Sequence, residues 1–233
     1  MSERELLAAG LEELGLNKKY PQAVDKLLSF SELLLEKNLV MNLTAVTDPM
    51  EVVTRHFLDC AALAPFVSGE VIDVGCGAGF PGVPLALLSE SRITLLDAQK
   101  KRIDWLNEAM KTLQIRNASA VHARAEEFGH REAFDCAVSR AVARLNVLCE
   151  LSLPLVRVGG CFLAMKADDC AGEIAEAQPA LTLLGASLEE VKTYTVPKTD
   201  IHRKLVIIRK EAETPSKYPR RFAKITSHPL GTS

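Results

Sequence analysis

The sequence is poor in aromatic residues and has no long apolar run. Only 5% of its 233 residues are aromatic, with a single tryptophan. No stretch approaches the roughly 18 uncharged apolar residues of a membrane span. The first residues include Glu3 and Glu5 and lack the apolar centre of a secretory signal. We therefore expect a cytoplasmic protein without a membrane anchor.

Metal-binding cysteine patterns are also missing. The six cysteines form no Cys-x-x-Cys pair, and no histidine follows them at zinc-finger spacing. No metal site is therefore expected. Without a secretory signal, the cysteines are interpreted as buried thiols in a reducing compartment.

There is no excess of charge of either sign over the whole chain. It carries 28 Lys and Arg against 30 Asp and Glu, a formal net charge of −2, which at first sight argues against a nucleic-acid partner. Residues 197–224, however, contain nine Lys and Arg against three Asp and Glu, a local charge of +6 that leaves −8 for the remainder. With Tyr218 and Phe222, this segment suits phosphate contact and stacking on an unpaired base. The alternative is an edge hairpin that Lys and Arg protect against aggregation.

Residues 1–68 are predicted to form helices. Between positions 24 and 35, apolar residues recur at helical spacing. A second helix is indicated by Asp48 as the cap, Pro49 in the first turn and Glu51 completing a capping box. We interpret this part as an N-terminal helical extension that packs on the domain that follows.

Residues 69–233 have the pattern of an α/β domain. Short β-rich runs alternate with helical stretches such as 100–113, which predicts a doubly wound, mostly parallel sheet with helices on both faces. Two later strands, 188–196 and 205–208, are joined by about eight residues, too few for a helical crossover, so they should pair antiparallel. The five preceding runs are residues 71–74, 93–96, 118–122, 134–138 and 161–165.

The sharpest motif is a glycine-rich segment that follows the first strand and opens a helix. Glycine is needed where the chain turns tightly and its backbone approaches a ligand. The N–H groups at a helix start are free to bind a polar ligand. We therefore predict a ligand-binding loop that contains Gly75, Gly77 and Gly79. Glycine turns that serve packing alone are the alternative.

The loop by itself leaves two cofactor classes open. Gly77-x-Gly79-x-x-Gly82 matches the dinucleotide fingerprint, and Asp97 lies about 20 residues on, where a carboxylate would accept bonds from ribose hydroxyls in either class. The other class is S-adenosylmethionine. It is favoured by Asp73, which could orient the loop or meet a cationic ligand. The terminal hairpin, the usual end of a Rossmann-like methyltransferase sheet, also favours it, although this second argument is a fold analogy.

A set of short motifs occurs in order along essentially the whole chain. They are Asn42-Leu-Thr44, Arg55-His56 with Asp59, Gly75-Cys-Gly-Ala-Gly-Phe-Pro-Gly82, Leu95-Leu-Asp97, Lys100-Lys-Arg102, Ala125-Glu126, Ser139-Arg140-Ala141, Met165-Lys166 and Tyr218-Pro-Arg-Arg221. Together they resemble the small-subunit ribosomal RNA guanine-N7 methyltransferases, a family once called glucose-inhibited division protein B. Two departures, Cys60 for Ser and Ala167 for Gly, replace one small residue by another.

The resemblance implies a Rossmann-like class I methyltransferase fold. It also implies an enzyme that moves a methyl group from S-adenosylmethionine to N7 of one guanine in the decoding region of 16S ribosomal RNA. By motif, Gly75 and Phe80 would border the methionine and ribose parts of the cofactor, with Asp97 at the ribose. Ala125 and Glu126 would lie beside the adenine.

Arg140 is the one residue predicted to act at the reaction centre, where cofactor and target base meet. N7 of guanine has a lone pair and no proton, so direct in-line attack needs no general base, and alignment is the main requirement. Because Arg140 is cationic, we expect it to position the base and not to stabilise the positive charge of the product. The other residues expected to bind RNA are Asn42, Arg55, His56, Lys166, Arg220 and Arg221.

Two other functions remain open at this level. One is a methyltransferase of another substrate, and the other is a nicotinamide-binding redox sensor. The expected partner is 16S ribosomal RNA or the small ribosomal subunit. We expect a monomer, since the sequence shows no extra interface element.

Overall fold

A computed structural model describes residues 1–140 and 142–231 of the protein. Within these residues, seven strands form one sheet. The strands are β1 (Glu70–Val74), β2 (Arg92–Asp97), β3 (Ala118–His122), β4 (Phe134–Arg140), β5 (Val156–Ala167), β6 (Ala186–Thr195) and β7 (His202–Lys210).

The strand order is β3-β2-β1-β4-β5-β7-β6. Strands β1 to β5 pair in parallel, and β7 runs antiparallel to both of its neighbours, β5 and β6. The predicted fold, a mostly parallel doubly wound sheet ending in an antiparallel hairpin, is confirmed. Because parallel strands end at the same edge, the loops after β1, β2, β4 and β5 all meet there.

Helices cover both faces of the sheet and enclose one apolar cluster on each face. One cluster gathers the N-terminal helices with α5 and α6, and the other gathers α7 to α9. The helices are α1 (Glu3–Glu13), α2 (Ala23–Met41), α3 (Pro49–Val52), α4 (Asp59–Ala61), α5 (Gly82–Leu88), α6 (Lys100–Thr112), α7 (Leu145–Ser152), α8 (Ala171–Leu183) and α9 (Phe222–Ser227).

The N-terminal helices share the core of the sheet. Phe30 of α2 stacks on Trp105 of α6, with ring centroids 5.8 Å apart, and meets Phe80 of the glycine loop at 5.9 Å. The burial of these rings releases apolar surface from water, the main favourable term in folding. The N-terminal helices therefore buttress the loop that the sequence singles out.

The helical segment after Asp48 is less regular than its sequence predicts. The Asp48 carboxylate accepts a hydrogen bond from the Glu51 backbone N–H at 3.0 Å, as expected of a cap. The Glu51 side chain pairs with Arg55 at 3.3 Å, so only half of the predicted capping box is present. A π-helix (Val53–Leu58) lies between α3 and α4. Single π-helical turns are frequent at functional sites.

In the described part of the chain, no helix is both long and apolar enough to cross a bilayer. Among the same residues, no group of three or more His, Cys, Asp or Glu side chains could hold a metal ion. The cysteines are free thiols, and all but the half-buried Cys161 are buried. Their burial agrees with the interpretation of the sequence.

Candidate active site

A cleft of about 760 Å³ opens at the carboxyl edge of the sheet. It is bordered by the glycine loop after β1 and by the ends of three further strands. These ends contribute Asp97 from β2, Arg140 from β4 and Lys166 from β5. The fold thus brings together seven of the nine motifs found in the sequence; the Ala125-Glu126 and Tyr218-Pro-Arg-Arg221 motifs do not line the cleft.

The glycine loop has backbone angles that side chains rarely adopt. The φ angles of Gly75, Gly77 and Gly79 are 75°, 56° and 94°. A side chain at Gly77 would meet only the Gly75 carbonyl oxygen, at 4.0 Å, so the backbone there is open to the cleft. A side chain at Gly79 would meet Leu106 and Val83 at 2.8 Å. Gly79 therefore serves the packing of the loop on the core.

Asp97 ties the end of β2 to the glycine loop. Its carboxylate accepts hydrogen bonds from the backbone N–H groups of Gly77 at 3.0 Å and Gln99 at 2.8 Å, and it lies 3.6 Å from the Arg102 guanidinium. A carboxylate has about four acceptor positions, so two bonds leave room for a ligand hydroxyl. Arg102 also lines the cleft, although sequence reasoning gave it no role.

Asp73 lies buried beneath the same loop. One carboxylate oxygen accepts a hydrogen bond from the Gly82 N–H at 2.7 Å, and the other oxygen has no partner in residues 1–140 and 142–231. Burial raises the pKa of Asp73 to about 7. Of the two roles foreseen for Asp73, the structure shows that it orients the loop.

Asp73 should make stability depend on pH. Its folded pKa of about 7 exceeds the unfolded value of about 4, so folding takes up a proton between them. The stability that it contributes is present below the unfolded pKa and is lost as pH rises through 7. Compared with Asp73→Asn, the native protein should gain about 2 kcal/mol between pH 7 and pH 5. Chemical denaturation at both pH values measures this difference.

A control for this experiment is Asp104→Asn, which removes an exposed carboxylate that pairs with Lys100 on α6. Its difference from the native protein should stay nearly constant over the same pH range. A pH-independent difference for Asp73→Asn would show that the Asp73 carboxyl has an ordinary pKa.

Arg140 is fixed above the loop by three acceptors from one helical segment. Its Nη1 donates to the Arg55 carbonyl at 3.0 Å and to the Asp59 carboxylate at 3.4 Å, and its Nη2 donates to His56 Nδ1 at 3.1 Å. The guanidinium carbon lies 5.0 Å from the centre of the Phe80 ring, a cation–π distance. The side chain is 15% exposed and lines the cleft.

His56 is held as a neutral ring. Nδ1 of His56 lies 3.1 Å from Arg140 Nη2 and 3.0 Å from the Arg55 carbonyl oxygen, and Nε2 lies 2.9 Å from Thr44 Oγ1. Arg140 can only donate, so its bond requires the proton on Nε2, whereas a bond to the carbonyl requires the proton on Nδ1. Burial and the nearby Arg140 charge lower the pKa of His56 to about 4. Its ring also packs on Phe80, with centroids 4.5 Å apart. His56 thus braces the arginine and the loop together.

Asp59 connects this cluster to the terminal hairpin. Tyr194 of β6 donates its hydroxyl to the Asp59 carboxylate at 2.9 Å, and the Arg203 guanidinium of β7 lies 3.8 Å from it. Tyr194 and Arg203 are opposite each other in the hairpin register. Sequence reasoning missed both residues, because this register is not visible in the spacing of the residues.

Two predicted sites lie beside the cleft. Ala125 and Glu126 form a 3₁₀ turn after β3, the neighbour of β2, and the Glu126 side chain is 6% exposed and 3.7 Å from Arg124. Asn42 is the exposed, left-handed cap of α2. The neighbouring Asn38 amide bonds both backbone groups of Thr44 at 2.9 Å.

Other predicted RNA ligands have protein partners. Lys166 donates to the Ala143 carbonyl at 3.0 Å and to Glu173 at 2.9 Å, so it braces the start of α7 while lining the cleft. Arg55 pairs with Glu51 and keeps a half-exposed guanidinium at the cleft. Ala141 of the Ser139-Arg140-Ala141 motif lies outside the described residues.

The basic C-terminal segment is less free than its sequence indicates. Arg220 forms a two-pronged ion pair with the buried Glu150, at 2.8 and 2.6 Å. Tyr218, predicted to stack on a base, is buried in the core instead. Arg221 remains exposed. Six of the nine basic residues pair with carboxylates: Lys198, Arg203, Lys204, Arg209, Lys210 and Arg220.

Comparison with known proteins identifies the family. The profile of the family described as rRNA small subunit methyltransferase G matches residues 23–206. The chain belongs to this family. It is 41% identical to the ribosomal RNA small subunit methyltransferase G of Acetivibrio thermocellus, over 97% of this chain and 96% of that protein. It is 42% identical to the protein of the same name from Alkaliphilus metalliredigens, over 99% and 100%.

A solved structure supports the fold of this family member. The chain resembles M. jannaschii TYW2, solved in complex with AdoMet, with a TM-score of 0.52 and 15% identity. The match covers 65% of this chain and 74% of that one. The prediction of an S-adenosylmethionine-dependent rRNA methyltransferase with a class I fold is therefore confirmed. The nicotinamide alternative is not supported by any of these relatives.

The residues at the cleft fit S-adenosylmethionine. The Gly77 backbone borders open space in the cleft that a side chain would partly fill. The Asp97 carboxylate at the end of β2 keeps free acceptor positions for a ligand. Adenosine offers ribose hydroxyls from which a carboxylate such as Asp97 can accept hydrogen bonds.

Proposed function

We propose that this family member methylates N7 of one guanine in the decoding region of 16S ribosomal RNA by direct in-line attack. The observation that carries the proposal is the position of Arg140. It is held by Arg55, His56 and Asp59 above Phe80 of the glycine loop, inside the cleft. A fixed donor group at that place is suited to align a base.

The cleft is suited to a reaction that needs no general base. His56 is neutral, and both of its ring nitrogens are engaged, one by Arg140 and the other by Thr44. It is therefore not free to abstract a proton. N7 of guanine carries an in-plane lone pair and no proton, so alignment suffices for its attack.

The glycine loop and the ends of β2 and β3 would hold the cofactor. When bound, S-adenosylmethionine supplies a methyl group activated by its sulfonium charge. Gly75, Gly77 and Phe80 would border its methionine and ribose parts, and Asp97 would accept the ribose hydroxyls. The Ala125–Glu127 turn would lie against the adenine. Gly79 supports this loop from the core side.

Arg140 would orient the guanine relative to the cofactor and exclude other orientations of the base. Its Nε–H and one Nη2–H bond no residue of the described chain, so they are free to donate to guanine O6 or to an RNA phosphate. A guanidinium next to the base cannot stabilise the positive charge that develops on the ring. Its contribution is therefore geometric.

RNA would be bound by the exposed cations around the cleft and in the C-terminal segment. Arg55 lies at the cleft, and Lys217, Arg221 and Lys224 pair with no carboxylate in the described residues. The exposed Phe222 offers a ring beneath the Arg124 guanidinium, 5.6 Å away. His56 and Lys166 would act through the groups that they brace, and Asn42 through the end of the α2 helix that it caps. Arg220 would stabilise the C-terminal segment through its ion pair with Glu150.

We further propose that residues 1–68 are a helical extension of a methyltransferase domain formed by residues 69–233. The shared ring cluster of Phe30, Phe80 and Trp105 supports a single folding unit. We also propose that the protein is a monomer that acts in the cytoplasm on 16S ribosomal RNA or the small ribosomal subunit.

Methyl mapping tests the proposed reaction. The protein is incubated with labelled S-adenosylmethionine and either small subunits or naked 16S RNA that lack the modification. Label should enter one guanine, and the strand should then cleave there under conditions specific for N7-methylguanine. RNA that already carries the methyl group is the control. Label on another atom or another class of substrate would contradict the proposal.

Gly77→Ala should weaken cofactor binding about tenfold, because a methyl group would project from the open backbone into the cleft. The matched control is Gly129→Ala, which has a similar positive φ of 75° and open space around it but does not line the cleft. Both variants should lose about 1 kcal/mol of stability from backbone strain. Calorimetric titration with S-adenosylhomocysteine measures the affinities. Equal affinities in the two variants would show that Gly77 does not face the cofactor.

A further inference from the structure

Asp59 is a buried carboxylate shared by three parts of the fold. Its side chain is 4% exposed and lies at the start of α4. Its Oδ2 faces Arg140 of β4 at 3.4 Å, while its Oδ1 accepts the Tyr194 hydroxyl of β6 at 2.9 Å. The N-terminal helices, the centre of the sheet and the terminal hairpin therefore meet at one side chain.

The orientation of Arg140 depends on this carboxylate. An arginine side chain has many rotamers, and fixing one of them costs conformational entropy that its bonds must offset. Three acceptors fix it here, and all of them belong to residues 55–59. Asp59 is the only carboxylate among the three acceptors, so its 3.4 Å contact adds an ion pair to the shorter bonds to Arg55 and His56.

Tyr194 determines which carboxylate oxygen of Asp59 faces Arg140. The phenol occupies Oδ1, which leaves Oδ2 for the guanidinium. Burial and the Asp59 charge raise the pKa of Tyr194, so the phenol stays protonated and always donates. The hairpin thereby fixes the rotation of a carboxylate that lies on a distant helix.

We propose that Asp59 and Tyr194 are positioning residues of the methyl-transfer reaction, which hold Arg140 over the glycine loop. The hairpin β6–β7 is then a support of the reaction centre as well as an edge of the sheet. This inference rests on the role proposed above for Arg140. It adds two residues from distant segments to the machinery of that site.

Tyr194→Phe removes only the hydroxyl and is the first test. We expect kcat with the RNA substrate to fall about tenfold, since small misplacements of a catalytic group are costly, while the affinity for S-adenosylhomocysteine stays unchanged. The matched control is Tyr20→Phe, in a separate cavity near the start of α2, which should keep wild-type kinetics. Thermal melting of both variants measures any purely structural effect.

Asp59→Asn is the second test, with a spectroscopic readout. Without the Asp59 charge, the guanidinium keeps only the Arg55 carbonyl and His56 as acceptors and should be held less firmly. Its positive charge then lies beside His56 for less of the time, so the pKa of that ring should rise from its value of about 4. Titration of the imidazole ¹⁵N signals measures this change in the free protein. We expect kcat to fall further than in Tyr194→Phe.

Three outcomes decide the inference. Reduced kcat together with a raised His56 pKa supports it. Unchanged kinetics and an unchanged His56 titration would overturn it, as would a lower melting temperature with wild-type kinetics. Arg140→Lys, measured in parallel, separates the two proposals: if it is fully active, the role of Arg140 in transfer fails, while the His56 titration still reports whether Asp59 and Tyr194 hold the guanidinium.

Discussion

Replacing Arg140 by Ala should lower kcat/KM for the RNA substrate about 100- to 1,000-fold, the usual loss when one preorganised donor is removed from a reaction centre. The side chain lines the cleft and lies over Phe80, with donor hydrogens left for the base. Cofactor affinity should change much less, because Asp97 and the loop backbone remain in place. Steady-state kinetics and calorimetric titration separate the two effects.

Arg140→Lys makes the same test without removing the charge. An ammonium group cannot reach the Arg55 carbonyl, His56 Nδ1 and the Asp59 carboxylate in the planar arrangement that a guanidinium allows. We therefore expect most of the activity to be lost in this variant as well. Arg209→Ala, on β7 and paired with Glu189 at the surface, is the control and should behave as wild type. A fully active Arg140→Ala would exclude the proposed role.

Arg220→Ala should be among the most destabilising single changes in the chain, at about 3–5 kcal/mol, because it leaves a buried carboxylate without its counter-charge. Glu150 is fully buried, and Arg220 binds it through its backbone N–H at 2.8 Å as well as through the guanidinium. Urea denaturation measures the loss. Affinity for RNA, measured on protein that is still folded, should change little.

Two further variants serve as comparisons for Arg220→Ala. Arg221→Ala removes the exposed neighbour, so stability should stay within about 0.5 kcal/mol, while RNA affinity falls and its salt dependence decreases. The double variant Glu150→Gln with Arg220→Met removes both charges and should recover part of the stability. If Arg220→Ala keeps its stability but loses RNA binding, Arg220 contacts RNA and the ion pair is incidental.

Much of the fold and the cofactor side of the cleft could be predicted from short-range patterns. Glycines mark the left-handed φ angles at Gly75 and Gly77, because other residues pay a steric penalty there. The order of strands and helices predicts a parallel sheet, whose carboxyl edge collects Asp97 and Arg140. Neither inference requires knowledge of which distant residues touch.

The partners of the charged side chains could not be predicted in the same way. The sequence suggested that Lys166 and Arg220 were free for RNA, yet each meets a carboxylate, Glu173 and Glu150, from another element. The positive charge of residues 197–224 likewise includes cations whose charge is neutralised by carboxylates elsewhere in the fold. A charge is visible in the sequence, but its neutralisation depends on the distance to a carboxylate, here 2.9 Å for Lys166 and 2.6 Å for Arg220, and only packing sets that distance.

Short-range sequence patterns were enough to predict the class of fold, the glycine loop and the family, because these depend on backbone sterics, apolar periodicity and local motifs. Which cations remain free and how Arg140 is held follow only from the packing of distant segments. The register of the hairpin puts Tyr194 on Asp59, and the π-helix brings Arg55, His56 and Asp59 to the same guanidinium. Hydrogen bonds and ion pairs act over a few ångströms, so they depend on packing between segments that the sequence keeps far apart.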